Sequence, residues 1–129
     1  HYPLRRQRQM CIRDRYFGGV AIANSFVGLI HPLSAGLSVV LGVHHCEANC
    51  ITITAMKEFY PSEYLEFMEI VKKNQINLRR GLCQNLSEDQ YNDLYDASMM
   101  HEIPLKNALG SNFKSILTKE KVKELYKKM

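Results

Sequence analysis

Tryptophan is absent from the chain, and so is any Gly-x-x-x-x-Gly-Lys segment. No glycine-rich loop follows a strand-like run, so no phosphate cradle or dinucleotide fingerprint can be read. No stretch alternates apolar and polar residues with period two, which argues against half-buried strands. Internal repeats and low-complexity tracts are lacking as well. The cysteines are few and scattered: Cys11 near the start, Cys46 and Cys50 one helical turn apart, Cys83 alone. Disulfide scaffolds are shorter and denser in cysteine, so a reducing cytoplasm is the expected compartment. The first residues have no apolar core of a secretory signal, and export is not indicated.

What is present suits one globular domain: 129 residues with 46% hydrophobic side chains, enough to bury a sizeable core. Charge is distributed unevenly. Residues 1–15 carry five arginines against one acid, and without them the chain has 12 bases and 12 acids in place of 17 and 13. Clustered arginines can form an arm for nucleic acid or an acidic partner. The run Met10-Cys11-Ile12-Arg13-Asp14-Arg15 instead resembles a translated sequencing adapter. Residues 1–15 are therefore expected to be non-native or disordered, to be set aside from fold reasoning, and no nucleic-acid partner is expected. Residues 16–129 are expected to form a helical domain.

Val20 to Val43 is uncharged throughout. By length such a run could span a bilayer. Asn24, Ser25, His31, Ser34 and Ser38 interrupt it, Pro32 breaks it, and no basic cluster follows to anchor it. The better expectation is a central helix, hydrophobic all round and buried in a larger core, with Gly28, Gly36 and Gly42 allowing close packing. A helix of that kind needs more protein around it than the remaining residues provide. No membrane association is expected.

The rest also reads as helices. His45 to Phe59 makes one, stopped by Tyr60-Pro61. Ser62 is expected to cap the next, with Tyr64, Leu65, Phe67, Met68 and Val71 as its inward stripe. Asn74 to Leu82 is a connector. Ser87-Glu88-Asp89-Gln90 is a capping box opening a helix through about Met99, with Tyr91, Leu94, Tyr95 and Met99 inward. Pro104 to Gly110 reads as a link with at most one helical turn. Thr118 caps a final helix, Lys119 to Lys128, with Val122 and Leu125 inward. The expected fold class is all-α, a helical bundle.

Chemistry concentrates between Gly28 and Cys50, an apolar stretch that holds His31, His44 and His45. Neutral imidazoles in an apolar setting are what a buried metal site requires. On one straight helix, His31 and His45 would stand roughly 21 Å apart. To share an ion, each nitrogen must lie about 2.0–2.1 Å from it. Gly42 supplies the needed break, since glycine accepts the left-handed conformation that ends helices. Pro32 can occupy the first helical position with His31 just outside, or kink a longer helix. A helix from about Pro32 to Leu41 climbs roughly 15 Å. Gly42 to His45 can return about 10 Å when extended. The pair is thus compatible with one metal.

This stretch resembles the metal-binding region of the iron-containing (group III) alcohol dehydrogenase family. There, a histidine on one helix is followed fourteen positions later by a second that opens the next helix, often before Gly-x-Ala-Asn. The matching residues are His31, then His45-Cys46-Glu47-Ala48-Asn49. His44-His45-Cys46, the Asn49-Cys50 pair and Phe59-Tyr60-Pro61 look most like the 3-deoxy-manno-octulosonate 8-oxidase branch. The resemblance covers roughly Phe17 to the C-terminus. It implies that this is the C-terminal helical domain of a larger two-domain enzyme, with His31 and His45 as two of four ligands to Fe²⁺ or Zn²⁺. The other two, an Asp-x-x-x-His, would lie upstream of this chain, and any NAD(P) would bind mostly to an N-terminal α/β domain. The implied reaction is metal-dependent oxidation of an alcohol or sugar-acid substrate, here the C8 alcohol of 3-deoxy-manno-octulosonate to an aldehyde. The isolated chain is expected to be inactive. A homo-oligomer is left open. Ala35 stands where many members carry a third histidine, so the proton acceptor is not identified.

Other readings are blander. Histidines in apolar helices are often hydrogen-bonded core residues, and the chain could be a small non-catalytic interaction domain. Cys46 and Cys50 share a helical face and could, with His44 or His45, form a small zinc module, although structural zinc prefers paired short loops; buried thiols are the alternative. His44 lines a pocket or lies on the surface. Asn49 orients the His45 ring or caps a helix. His101 follows a helix end, where the dipole favours it; a role on the substrate cavity is the alternative.

Overall fold

A twelve-residue helix ended by a left-handed glycine organises the molecule. The computed structural model describes residues 12–21, 23 and 27–129. The central helix, α1, is Ile30–Leu41. It is followed by α2 (His45–Thr54), α3 (Pro61–Lys73), α4 (Glu88–Met99), α5 (Glu102–Leu109), α6 (Phe113–Ile116) and α7 (Lys119–Lys127). No strand occurs among the described residues, and the architecture is all-α as expected. Ahead of these elements, residues 12–21 are helical and exposed. Within the segment read as non-native or disordered, residues 12–15 thus belong to a helix, while residues 1–11 lie outside the described residues. Among the described residues, no helix is long and apolar enough to cross a membrane.

Gly42 ends α1 as anticipated, with φ of 67° and its N–H donated to the Leu37 carbonyl. The start of α1 differs from the expectation. Leu29 is the cap, so His31 and Pro32 are the second and third helical residues. Proline is tolerated there because first-turn N–H groups have no partner inside the helix. All-round burial is also corrected. Leu33, Ser34, Gly36 and Leu37 are buried, but Val39 is 76% exposed. The chain covers only one face of α1, chiefly with α4 and α2.

The α1–α4–α7 contact is closed by hydroxyls. Tyr126 donates to the Leu33 carbonyl at 2.8 Å and lies 2.6 Å from Ser98 Oγ. Ser98 Oγ is also 2.7 Å from the Leu94 carbonyl. Gly36 makes room for this: a Cβ there would sit 2.3 Å from the Tyr126 hydroxyl. Burial holds the Tyr126 phenol far above its ordinary pKa, so it stays protonated. Around these groups, Leu29, Leu33, Leu37, Ile51, Met56, Leu94, Leu105, Phe113, Leu117 and Leu125 form the core.

Three further elements depart from expectation. Helix α2 stops at Thr54 rather than Phe59. The run Ile51-Thr52-Ile53-Thr54 is entirely β-branched, which crowds the helix. Thr54 Oγ1 turns back to the Ile51 carbonyl at 2.6 Å. The Ala55 and Met56 N–H groups then close tight turns on Thr52 and Ile53. Helix α3 starts at Pro61 with Tyr60 as cap, placing Ser62 inside its first turn. Its apolar stripe is largely unsheltered. Val71 is buried, Tyr64, Phe67 and Met68 are half-buried, and Leu65 is 58% exposed. The link at Pro104–Gly110 is in fact mostly the eight-residue α5, which accepts Pro104 as its third residue and stops at Gly110. The short α6 was not expected.

Two caps match the sequence closely. The capping box at Ser87 and Gln90 is formed in both directions. Thr118 Oγ1 accepts the Lys121 N–H at 3.2 Å, and Val122 and Leu125 are buried. The last helical residue is Lys127 rather than Lys128.

Candidate metal centre

The reversal at Gly42 carries the chain back toward the start of α1. The Val43 N–H bonds to the Leu37 carbonyl at 3.4 Å, and the Val43 side chain is buried. His44 is extended (φ −59°, ψ 135°) and caps α2, so that His45 is its first residue. The imidazoles of His31 and His45 end with ring centroids 5.1 Å apart and planes at 81°. Two imidazoles bound to one tetrahedral ion have centroids about 5.2 Å apart, since each centroid stands about 3.2 Å from the metal. In spacing, the pair fits two donors to a single cation.

Around the pair is an open cleft of about 540 Å³ lined by Val27, Gly28, Ile30, His31, His45 and Asn49. The Tyr60 hydroxyl packs against Gly28 and accepts the Leu29 N–H at 3.2 Å. Gly28 permits that approach, because a Cβ there would lie 2.6 Å from the same hydroxyl. Asn49 Nδ2 lies 3.3 Å from His45 Nε2, one turn along α2. Asn49 therefore orients the ring, one of the two roles raised for it. Glu47, between them in sequence, pairs with Arg79 at 3.1 Å and ties the connector after α3 to the start of α2.

His31 is half-buried, and its pKa is lowered, first by burial and then by the neighbouring His45 and His101. Both effects disfavour the imidazolium, leaving the neutral ring that can act as a ligand.

A third histidine, not assigned to the site from sequence, joins this group. The His101 ring lies 5.7 Å from that of His31, with planes at 69°. His101 sits between α4 and α5 as the α5 cap. It continues the buried face of α4 through Leu94 and Ser98, at spacings of four and three. That spacing was the available signal: a helix face that meets α1 carries its next residue to the same neighbourhood.

His44 is exposed at the α2 cap, which resolves its placement in favour of the surface. Ala35 is half-buried one turn beyond His31 and offers no donor. Cys46 is exposed and Cys50 half-buried, both free thiols. Cys83 is buried elsewhere in the core, and burial pushes its thiol up to about 11. Among the described residues, no set of three His, Cys, Asp or Glu side chains converges as placed on one metal position. The arrangement thus pairs two donors at the mouth of a cleft with a third imidazole close by. Comparison with models of known protein families finds none that matches the chain.

Proposed function

We propose that the chain is the helical part of a metal-dependent alcohol-oxidising enzyme, and that His31 and His45 supply two ligands to its divalent ion, Fe²⁺ or Zn²⁺. The observation that carries this is the 5.1 Å approach of the two rings at the mouth of the cleft. A helix and a reversal separate them in sequence, and the fold nevertheless sets them side by side. When bound, such an ion supplies Lewis acidity that lowers the pKa of a substrate alcohol. His31, kept neutral by burial and its neighbours, presents a nitrogen lone pair. Asn49 restrains the His45 ring. Val27 and Ile30 give the cleft an apolar wall beside the two donors.

The remaining donors in this reading come from an upstream Asp-x-x-x-His, and an N-terminal α/β domain would hold any NAD(P). By likeness of sequence, the substrate class is a sugar acid with a terminal alcohol, and 3-deoxy-manno-octulosonate is the member to test first.

The test begins by reading the source DNA upstream of Phe17 without transposon-based library preparation. A frame that continues into an α/β domain with Asp-x-x-x-His is the expected result. The longer enzyme, loaded with Fe²⁺ or Zn²⁺, should oxidise the terminal alcohol, and His31→Ala or His45→Ala should each lower kcat/KM by at least about 100-fold, a loss of about 2.7 kcal/mol in transition-state stabilisation. Absence of that domain, or full activity in both variants, would refute the reading. Alcohol oxidation by the 129-residue chain alone would refute the division of ligands.

A further inference from the structure

His101 lies beside His31, and the alcohol-oxidation reading does not use it. It arrives from a different part of the chain than His31 and His45, so its approach is a property of the tertiary fold. Its distance from His31, 5.7 Å between centroids, differs little from the 5.1 Å of the His31–His45 pair. Imidazoles on one ion at ligand–metal–ligand angles of 90–130° have centroids about 4.5–5.8 Å apart, and both separations fall in this interval. The three rings lie at the start of α1, the start of α2 and the α4–α5 junction. Three separate elements thus bring their rings to the neighbourhood of His31, which suits a centre that takes form only when the chain is folded.

We propose that His31, His45 and His101 together form a three-imidazole site that binds one divalent transition-metal ion of the zinc–cobalt class using this chain alone. The proposal rests on the assignment of His31 and His45 as ligands and adds His101 to them. His45 is exposed and His101 half-buried; binding one ion requires both rings to rotate toward a common point. His45 must first leave its 3.3 Å contact with Asn49 if it ligates through Nε2. His31, the middle ring, contacts both of the others and can remain in place. Three nitrogen donors leave a coordination position open toward the cleft, the arrangement found in catalytic rather than structural zinc sites.

The experiment is a titration of the purified 129-residue chain with Co²⁺, followed by visible absorption, and with Zn²⁺, followed by calorimetry. One equivalent of metal is expected to bind. His31→Ala, His45→Ala and His101→Ala should each weaken binding by at least about tenfold, the lower end of what loss even of an outer partner costs. His101→Gln, which keeps a polar side chain of similar length, should weaken it equally, and His44→Ala should leave it unchanged. Circular dichroism of each variant separates a lost ligand from a lost fold. If His31→Ala and His45→Ala weaken binding but neither His101 variant does, the three-imidazole site is overturned while the two-histidine assignment survives. Absence of binding to the folded chain also overturns it, and leaves the assay of the longer enzyme to judge the alcohol-oxidation reading. A thiolate-to-cobalt charge-transfer band would overturn it in favour of a centre that includes Cys46 or Cys50.

Discussion

Gly36→Ala tests the α1–α4–α7 contact most severely. Alanine is ordinarily the better helix former by about 0.8–1.0 kcal/mol, so on a loosely packed helix the change would stabilise. Here the new methyl would lie 2.3 Å from the Tyr126 hydroxyl, 3.0 Å from Ser98 Oγ and 3.2 Å from the Leu94 carbonyl. The first distance requires a movement of about 1 Å, and overpacking of this kind costs roughly 1–3 kcal/mol. The atom that must move also holds two buried contacts, to Leu33 and Ser98, each contributing about 0.5–1.5 kcal/mol. After subtracting the propensity gain, the expected net loss is about 3 kcal/mol. For a chain of 129 residues that corresponds to a fall in Tm of about 11 °C.

Tyr126→Phe removes the oxygen in the way. Alone it should cost about 1–3 kcal/mol for the two contacts. In that background Gly36→Ala meets only Ser98 Oγ and the Leu94 carbonyl, which need yield a few tenths of an ångström. The alanine should then cost about 1 kcal/mol or less once the helix propensity is counted. Urea unfolding of the two single variants and the double variant gives the coupling directly, provided m stays constant. A coupling near 2 kcal/mol is expected. Additivity of the two changes within about 0.5 kcal/mol would show that they do not share a contact, and would refute this account of Gly36.

Three other perturbations have definite expected outcomes. Ser87→Ala removes the oxygen that accepts the Gln90 N–H; it should cost about 1 kcal/mol, visible as a fall of several degrees in Tm, and no loss would contradict the cap. Thr52 is fully buried with Oγ1 unpartnered, so Thr52→Val should be neutral or stabilise by about 1 kcal/mol in urea, whereas clear destabilisation would reveal a hidden partner. Alkaline pH should destabilise through Cys83. The folded thiol keeps its proton to about 11, while in the unfolded chain it ionises near about 8.5. The native state therefore holds more protons between these values, and stability falls as pH rises through this window. Cys83→Ala should flatten the fall between about pH 8.5 and 9 in pH-dependent urea curves, where few tyrosines of the unfolded chain have yet ionised; an unchanged slope would refute the assignment.

What could be read from sequence was what neighbouring residues decide between themselves. Ser87 with Gln90, Thr118 with Lys121 and Gly42 after Leu41 are local geometries, and all three are found as expected. The His31–His45 approach was legible as a reach argument, because helix rise and extended chain length bound the separation. Burial was less legible because it depends on what arrives from elsewhere. The α3 stripe has the right period, yet Leu65 is exposed because little packs on it. Tyr126 has a hydroxyl and lies one residue beyond Leu125 at the end of a lysine-rich helix, so nothing local marks it as fully buried. Its place is set by Gly36 and Ser98, far away in the chain. The importance of His101 depends in the same way on the packing of α4 against α1.

The bond from Tyr126 to the Leu33 carbonyl joins residues 93 positions apart. Synthesis proceeds at roughly 5–20 residues per second, so the ribosome takes about 5–20 s to add that much chain. During this interval α2 and then α4 become available to cover α1, but the Tyr126 closure over Leu33 is missing until the end. Before α4 is made, the apolar face with Leu33 and Leu37 is open to any other unfinished chain or to a chaperone. The last turn of α7 thus acts as a late latch: slowing translation of α7 should lengthen the interval before this closure and raise aggregation, without altering the stability of the finished protein.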